Sequence, residues 1–193
     1  MSRSKVPQTI WRSAVELNQF LDSCGYTFCF IGGISLQRWG QPRSTRDIDL
    51  NLLAGFGNEH PIIETILKRY QSRIDDPVGF ALRARILLLQ NISGTSIDLS
   101  LGGLPFEDRM QQRASPWSVP GAGVIRTCSA EDLVVLKAFA ARRQDWLDLD
   151  SVVKRQGSGL DRRLIEDELT PLSELKEEPE ILIELQKVFR NHD

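Results

Sequence analysis

The segment Arg46-Asp47-Ile48-Asp49-Leu50-Asn51-Leu52 alternates polar and apolar side chains without a break, and no other stretch constrains the chain as tightly. Successive side chains of a strand leave opposite faces, so Ile48, Leu50 and Leu52 belong to a core while Asp47 and Asp49 leave together from the other face. Two carboxylates that close repel, and burying either alone is costly, so something cationic should compensate them. The preceding run Tyr26-Thr27-Phe28-Cys29-Phe30-Ile31 is aromatic and β-branched and reads as a buried strand, ended by Gly32-Gly33. Before it, Ile10, Trp11, Leu17, Phe20 and Leu21 recur at three- and four-residue spacing as far as Gly25, which predicts an amphipathic helix with a glycine stop. Ile34 to Trp39 fits a short helix, Gly40-Gln41-Pro42 a loop, and Glu59 to Tyr70 returns to helical spacing.

Two strand-like runs, Ala84 to Leu89 and Ser96 to Leu101, flank the turn signal Asn91-Ile92-Ser93-Gly94 and predict an antiparallel hairpin. Gly102 to Gly123 is punctuated by glycine and proline, and Val124 to Cys128 adds one more strand. Ser129-Ala130-Glu131-Asp132 has the capping-box form just ahead of Leu133-Val134-Val135-Leu136, which places a helix N-terminus at Ser129. From there the pattern is helical, with interruptions expected near Gly157-Ser158-Gly159 and Thr170-Pro171. The organisation expected is α+β: strands and helices over 1–128, then a helical region over 129–193 packed on that core.

Composition narrows the function classes. The 193 residues are 41% hydrophobic and 26% charged, the mix of a globular fold with a packed core, far from disordered or collagen-like chains. No apolar run approaches the roughly 18 residues that span a bilayer. The start Met1 to Pro7 lacks a signal-peptide-like apolar segment, so a cytoplasmic address and no membrane are expected. Cys24, Cys29 and Cys128 form no C-x-x-C pair and read as reduced thiols. His60 and His192 are the only histidines, which argues against imidazole-rich metal sites and most histidine-based triads. Chemistry must then run on carboxylates, lysine and arginine. The net charge of −2 divides into −5 over Asp161 to Asp193 and +3 over the rest, compatible with a polyanionic ligand such as a nucleotide or RNA.

Asp98, between Ile97 and Leu99, repeats the alternating context of the first pair. Three convergent carboxylates are a hard, oxygen-only site of the kind that holds Mg²⁺ or Mn²⁺ with water and substrate phosphates. A D-x-D alone is most often the polar face of a strand, and Gly-Gly alone most often a turn. Together they point further, because Gly32-Gly33 ends a strand and opens a helix, where bare N–H groups and the helix N-terminus favour a phosphate. Lys137 interrupts an apolar run from Leu133 to Ala140 and must either snorkel to water or meet an anion. Arg142, Asp145 and Asp148 follow at three-residue steps, either as an intrahelical ion pair or as residues that shape the site. Arg43 either contacts phosphate or fixes the loop before the D-x-D strand.

These motifs carry a resemblance. Phe30-Ile31-Gly32-Gly33, Arg43-Ser44-Thr45-Arg46-Asp47-Ile48-Asp49-Leu50, Ile97-Asp98-Leu99, Ala130 to Lys137, and Arg142 with Asp145 and Asp148 resemble the AbiEii-type nucleotidyltransferases over roughly residues 28–155. That family is a branch of the polymerase-β-like superfamily and includes toxins of bacterial toxin–antitoxin systems. The resemblance implies a mixed sheet flanked by helices, with Asp47, Asp49 and Asp98 as catalytic and metal-holding residues. It further implies divalent-metal-dependent transfer of a nucleoside monophosphate from an NTP, with Lys137 at the nucleotide's phosphates. The usual Gly-Ser is here Gly32-Gly33, which leaves Ser35 as the substitute hydroxyl. The partners implied are an NTP, an acceptor such as tRNA or another RNA, and a cognate antitoxin. Two alternatives stand beside this reading: a small-molecule adenylyltransferase of the aminoglycoside-modifying kind, and a non-catalytic nucleotide-binding or antitoxin-like homologue.

Overall fold

The computed structural model of the chain describes residues 6–192. Met1 to Lys5, on which the expectation of a start without a signal segment rests, and Asp193 lie outside the described residues. Two units are distinguished, one of residues 6–34 and 43–128, the other of 35–42 and 129–192.

In the first unit, α1 (Gln8–Ser23) buries Ile10, Trp11, Ala14, Leu17 and Leu21, and the chain leaves it through Gly25 at φ +71°. Then come β1 (Phe28–Phe30), the start of α2 (Gly32–Trp39), β2 (Asp47–Leu53), α3 (Glu59–Leu67) and β3 (Gln71–Ser72). α4 (Pro77–Ala84), β4 (Ile86–Gln90), β5 (Ser96–Gly102), α5 (Pro105–Arg113), β6 (Ser115–Val119) and β7 (Gly123–Thr127) complete it. The strands form one mixed sheet in the order β3-β4-β5-β2-β1-β7-β6. β2 runs parallel to β5 and β1 parallel to β7, the other neighbours being antiparallel.

The alternation read from the sequence is what orients this sheet. Ile48, Leu50 and Leu52 of β2, Ile97, Leu99 and Leu101 of β5, and Leu87 and Leu89 of β4 enter one core with α1, Ile63 and Ile66 of α3, and Ala81 of α4. Each such leucine or isoleucine contributes about 1.5–3 kcal/mol on burial. On the opposite face α5 closes the far end of β2. The Gln111 amide donates to Asn51 O (3.1 Å) and Oδ1 (2.8 Å), and Asn51 Nδ2 donates to Glu107 Oε1 (2.7 Å). Glu107 also accepts from the Gly103 and Leu104 N–H groups and so caps α5. The near end of that face, at Asp47 and Asp49, stays exposed to half-buried.

The second unit holds α6 (Ala130–Ala140), α7 (Arg143–Gln156), α8 (Arg162–Lys176) and α9 (Glu180–Arg190), with a 3₁₀ turn at Gly157–Gly159. Ser129 caps α6 as expected, its hydroxyl accepting from Asp132 N at 3.0 Å. α6 packs on α7 and α8, burying Leu133, Val134, Ala138, Leu149, Val153, Ile165 and Leu169. The break expected at Thr170-Pro171 is absent, since α8 runs through Pro171. Pro171 faces solvent while Leu169, Leu172 and Ser173 are buried, so packing on either side offsets the missing N–H. Three helices and strands were also hidden by punctuation. α4 and α5 both open on proline, which suits a first helical position, and β6 follows within the same Gly/Pro-rich stretch. Ala84, expected to open a strand, ends α4 instead, and the chain turns through Arg85 at φ +53°. Among the described residues no helix is long and apolar enough to cross a membrane.

Candidate active site

The register of the sheet places the three aspartates. Asp49 on β2 is paired with Asp98 on β5, and Asp47 with Ser96 two residues back, so the three carboxylates emerge from one face in two neighbouring strands. Asp47 is exposed, and Asp49 and Asp98 are half-buried. Each has a partner of its own. Thr45, itself buried, donates from Oγ1 to Asp47 Oδ1 at 2.9 Å. Asp49 Oδ2 accepts from Gly33 N at 3.4 Å. Asp98 Oδ1 takes an ion pair from the Arg73 guanidinium.

The glycine pair is explained by what closes on it. Gly32 sits at φ +56°, and a Cβ there would overlap the Asp49 carboxylate. A Cβ on Gly33 would come within 2.5 Å of Thr45 Oγ1. Both positions therefore exclude side chains so that the D-x-D strand and the loop before it can lie against the first turn of α2. Arg43, in that loop, donates from Nη1 to Ser44 O at 3.1 Å. Ser35, one turn into α2, is fully buried.

Among the described residues no three His, Cys, Asp or Glu side chains are arranged to hold a metal ion by themselves. Asp98 is turned to Arg73 through one of its oxygens. The pair Asp47 and Asp49 remains a hard-oxygen donor set suited to a cation that completes its shell with phosphate oxygens and water.

In the second unit, Lys137 is buried with its Nζ donating to Asp145 Oδ1 (2.7 Å) and Asp148 Oδ2 (2.8 Å). Asp145 also accepts from Arg142 Nε at 2.5 Å, and Asp148 from Gln144 Nε2 at 2.9 Å. Burial pushes the Asp145 carboxyl up, but the hydrogen bonds and charges of Arg142 and Lys137 outweigh it and hold the group below its ordinary value. Of the two fates open to Lys137, snorkelling is ruled out. The anion it meets here is a pair of carboxylates one helix away in the chain, a connection that the spacing of Arg142, Asp145 and Asp148 alone did not show.

The structure of ANT(2")-Ia in complex with adenylyl-2"-tobramycin is similar at TM-score 0.56 and 13% identity, covering 87% of this chain and 99% of that one. The solution structure of the antibiotic-resistance factor ANT(2'')-Ia is similar at TM-score 0.55 and 13% identity, over 88% and 95%. An antigenic nucleotidyltransferase-like protein from Paracoccidioides brasiliensis is 15% identical over 93% and 91%, at TM-score 0.49. The first two likenesses show a nucleotidyltransferase fold. Residues 19–192 match the family described as nucleotidyl transferase AbiEii toxin, type IV toxin–antitoxin system, and the chain belongs to that family. No curated protein matches it by sequence.

Proposed function

We propose that the chain transfers a nucleoside monophosphate from an NTP to an acceptor hydroxyl on RNA, as the toxin of a toxin–antitoxin pair. The observation that carries this is the alignment of Asp47, Asp49 and Asp98 on one face, with Asp49 lodged against the Gly32-Gly33 opening of α2. Asp47 and Asp49 would hold Mg²⁺ or Mn²⁺ jointly with the phosphates. When bound, the cation supplies neutralisation of phosphate charge. Thr45 fixes the Asp47 carboxylate, and the first turn of α2 favours the phosphate anion. Asp98 takes the proton of the acceptor hydroxyl as its oxygen bonds to the α-phosphorus. The bond from that phosphorus to the bridging oxygen breaks, and pyrophosphate leaves.

A small-molecule hydroxyl is the second acceptor class, favoured by a fold likeness that covers nearly all of ANT(2")-Ia. Isothermal titration tests the nucleotide site itself. NTP affinity should depend on Mg²⁺ in the wild type, and Asp49→Asn should abolish that dependence. Equal affinities with and without Mg²⁺ would sink the assignment.

A further inference from the structure

The structure gives Asp98 a partner that no motif contains. Arg73 follows β3, and its N–H donates to Leu88 O at 2.9 Å. Leu88 is paired with Asp98, and Asp98 with Asp49. Arg73, just past β3, thus extends the row of Leu88, Asp98 and Asp49 across β4, β5 and β2, and side chains of one row leave the same face. The guanidinium spans Leu88 to reach Asp98 Oδ1, on the side away from Asp49. Its backbone is fixed by the ladder, so the pairing follows from the fold rather than from a free surface side chain finding an opposite charge.

A carboxylate cannot give the same lone pairs fully to a guanidinium and to a divalent cation. We propose that Arg73 is a positioning residue that competes with a divalent cation for Asp98, holding this carboxylate on its own side of β5 and out of the cation's coordination shell. This rests on the reading of Asp47 and Asp49 as the cation site. The pairing also keeps metal alone weakly held.

The side chains of Arg73 and Asp98 are 30% and 31% exposed, so water screens the pair and its hold on Asp98 is modest. Mn²⁺ binding to the full chain without nucleotide, read from the spectrum of the free ion by electron paramagnetic resonance, tests the proposal. Arg73→Gln should tighten Mn²⁺ about twofold to fivefold, and Arg73→Lys, which keeps a charge but not the planar fork, should fall between it and wild type. The gain should vanish in the double variant Arg73→Gln/Asp98→Asn. Arg83→Gln, which removes an equal charge from an exposed pair with Asp76 in the same unit, should leave Mn²⁺ affinity unmoved. Thermal melting confirms that each variant is folded. Mn²⁺ affinity unchanged or weakened in Arg73→Gln, or a gain that survives in the double variant, overturns the proposal alone. Absence of Mn²⁺ binding in every variant, with and without NTP, overturns the cation site and the proposal with it.

Discussion

At Gly32 two demands coincide, a left-handed backbone and the absence of a side chain, whereas at Gly25 only the first operates, since a Cβ there would meet nothing within 4 Å. Alanine in the left-handed region costs about 1–2 kcal/mol, so Gly25→Ala should lower the melting temperature by a few degrees and leave NTP binding intact. Gly32→Ala should lower it at least as much and also displace Asp49, with loss of Mg²⁺-dependent NTP binding in a titration. Equal NTP affinity in the two variants would remove Gly32 from the site. Thr45 is tested in the same way. Thr45→Val keeps the shape and removes the donor to Asp47, and should weaken metal–NTP binding about threefold to tenfold, while Thr45→Ser should restore it. The aspartates were legible because strict alternation fixes which side chains share a face. Arg73 and the hold of Thr45 on Asp47 were not, because a two-residue strand leaves no periodic signal and a hydroxyl's partner depends on how the loop closes.

On the scale of elements, the pairing of α6 with α7 rests partly on Lys137, Asp145 and Asp148. Replacing the lysine alone leaves two buried carboxylates facing each other. An apolar side chain in an apolar helix would be expected from sequence to be harmless or stabilising, but the triad reverses that sign. Lys137→Met should cost about 3–5 kcal/mol, the usual loss on breaking one partner of a buried pair, read as a lower urea midpoint. An unchanged midpoint would refute the triad's structural role. Acid acts on the same element. Asp145 lies below its ordinary value, so its stabilisation is complete above the ordinary aspartate range and is lost as pH falls through that range toward the lowered value. Urea midpoints measured downward from pH 5 should fall in wild type and fall less in Asp145→Asn. Helix starts were legible where capping chemistry is local, as at Ser129, and Ser129→Ala should cost about 1 kcal/mol. α4 and α5 were not, because proline at a helix start has the same appearance as proline in a loop, and only tertiary burial of Ala81, Phe106 and Met110 separates the two.

For the molecule as a whole, family membership points to nucleotidyl transfer, while the charge of −5 in the acidic tail against +3 elsewhere confines any attraction for polyanions to the remaining chain. The fold class was legible because its strands alternate and its turns carry glycine. The acceptor was not, since an acceptor surface is built from side chains brought together only by folding. The central claim is that Asp47 and Asp49 support transfer of a nucleoside monophosphate. The direct measurement is incubation of the full chain with each α-labelled NTP, Mg²⁺ and total RNA, with wild type and Asp49→Asn side by side. The account predicts that wild type places label on an RNA fraction with release of pyrophosphate, and that omission of Mg²⁺ or the Asp49→Asn exchange abolishes it. Label transferred equally well by Asp49→Asn, or no transfer of any NTP to RNA or to small-molecule hydroxyls, would contradict it.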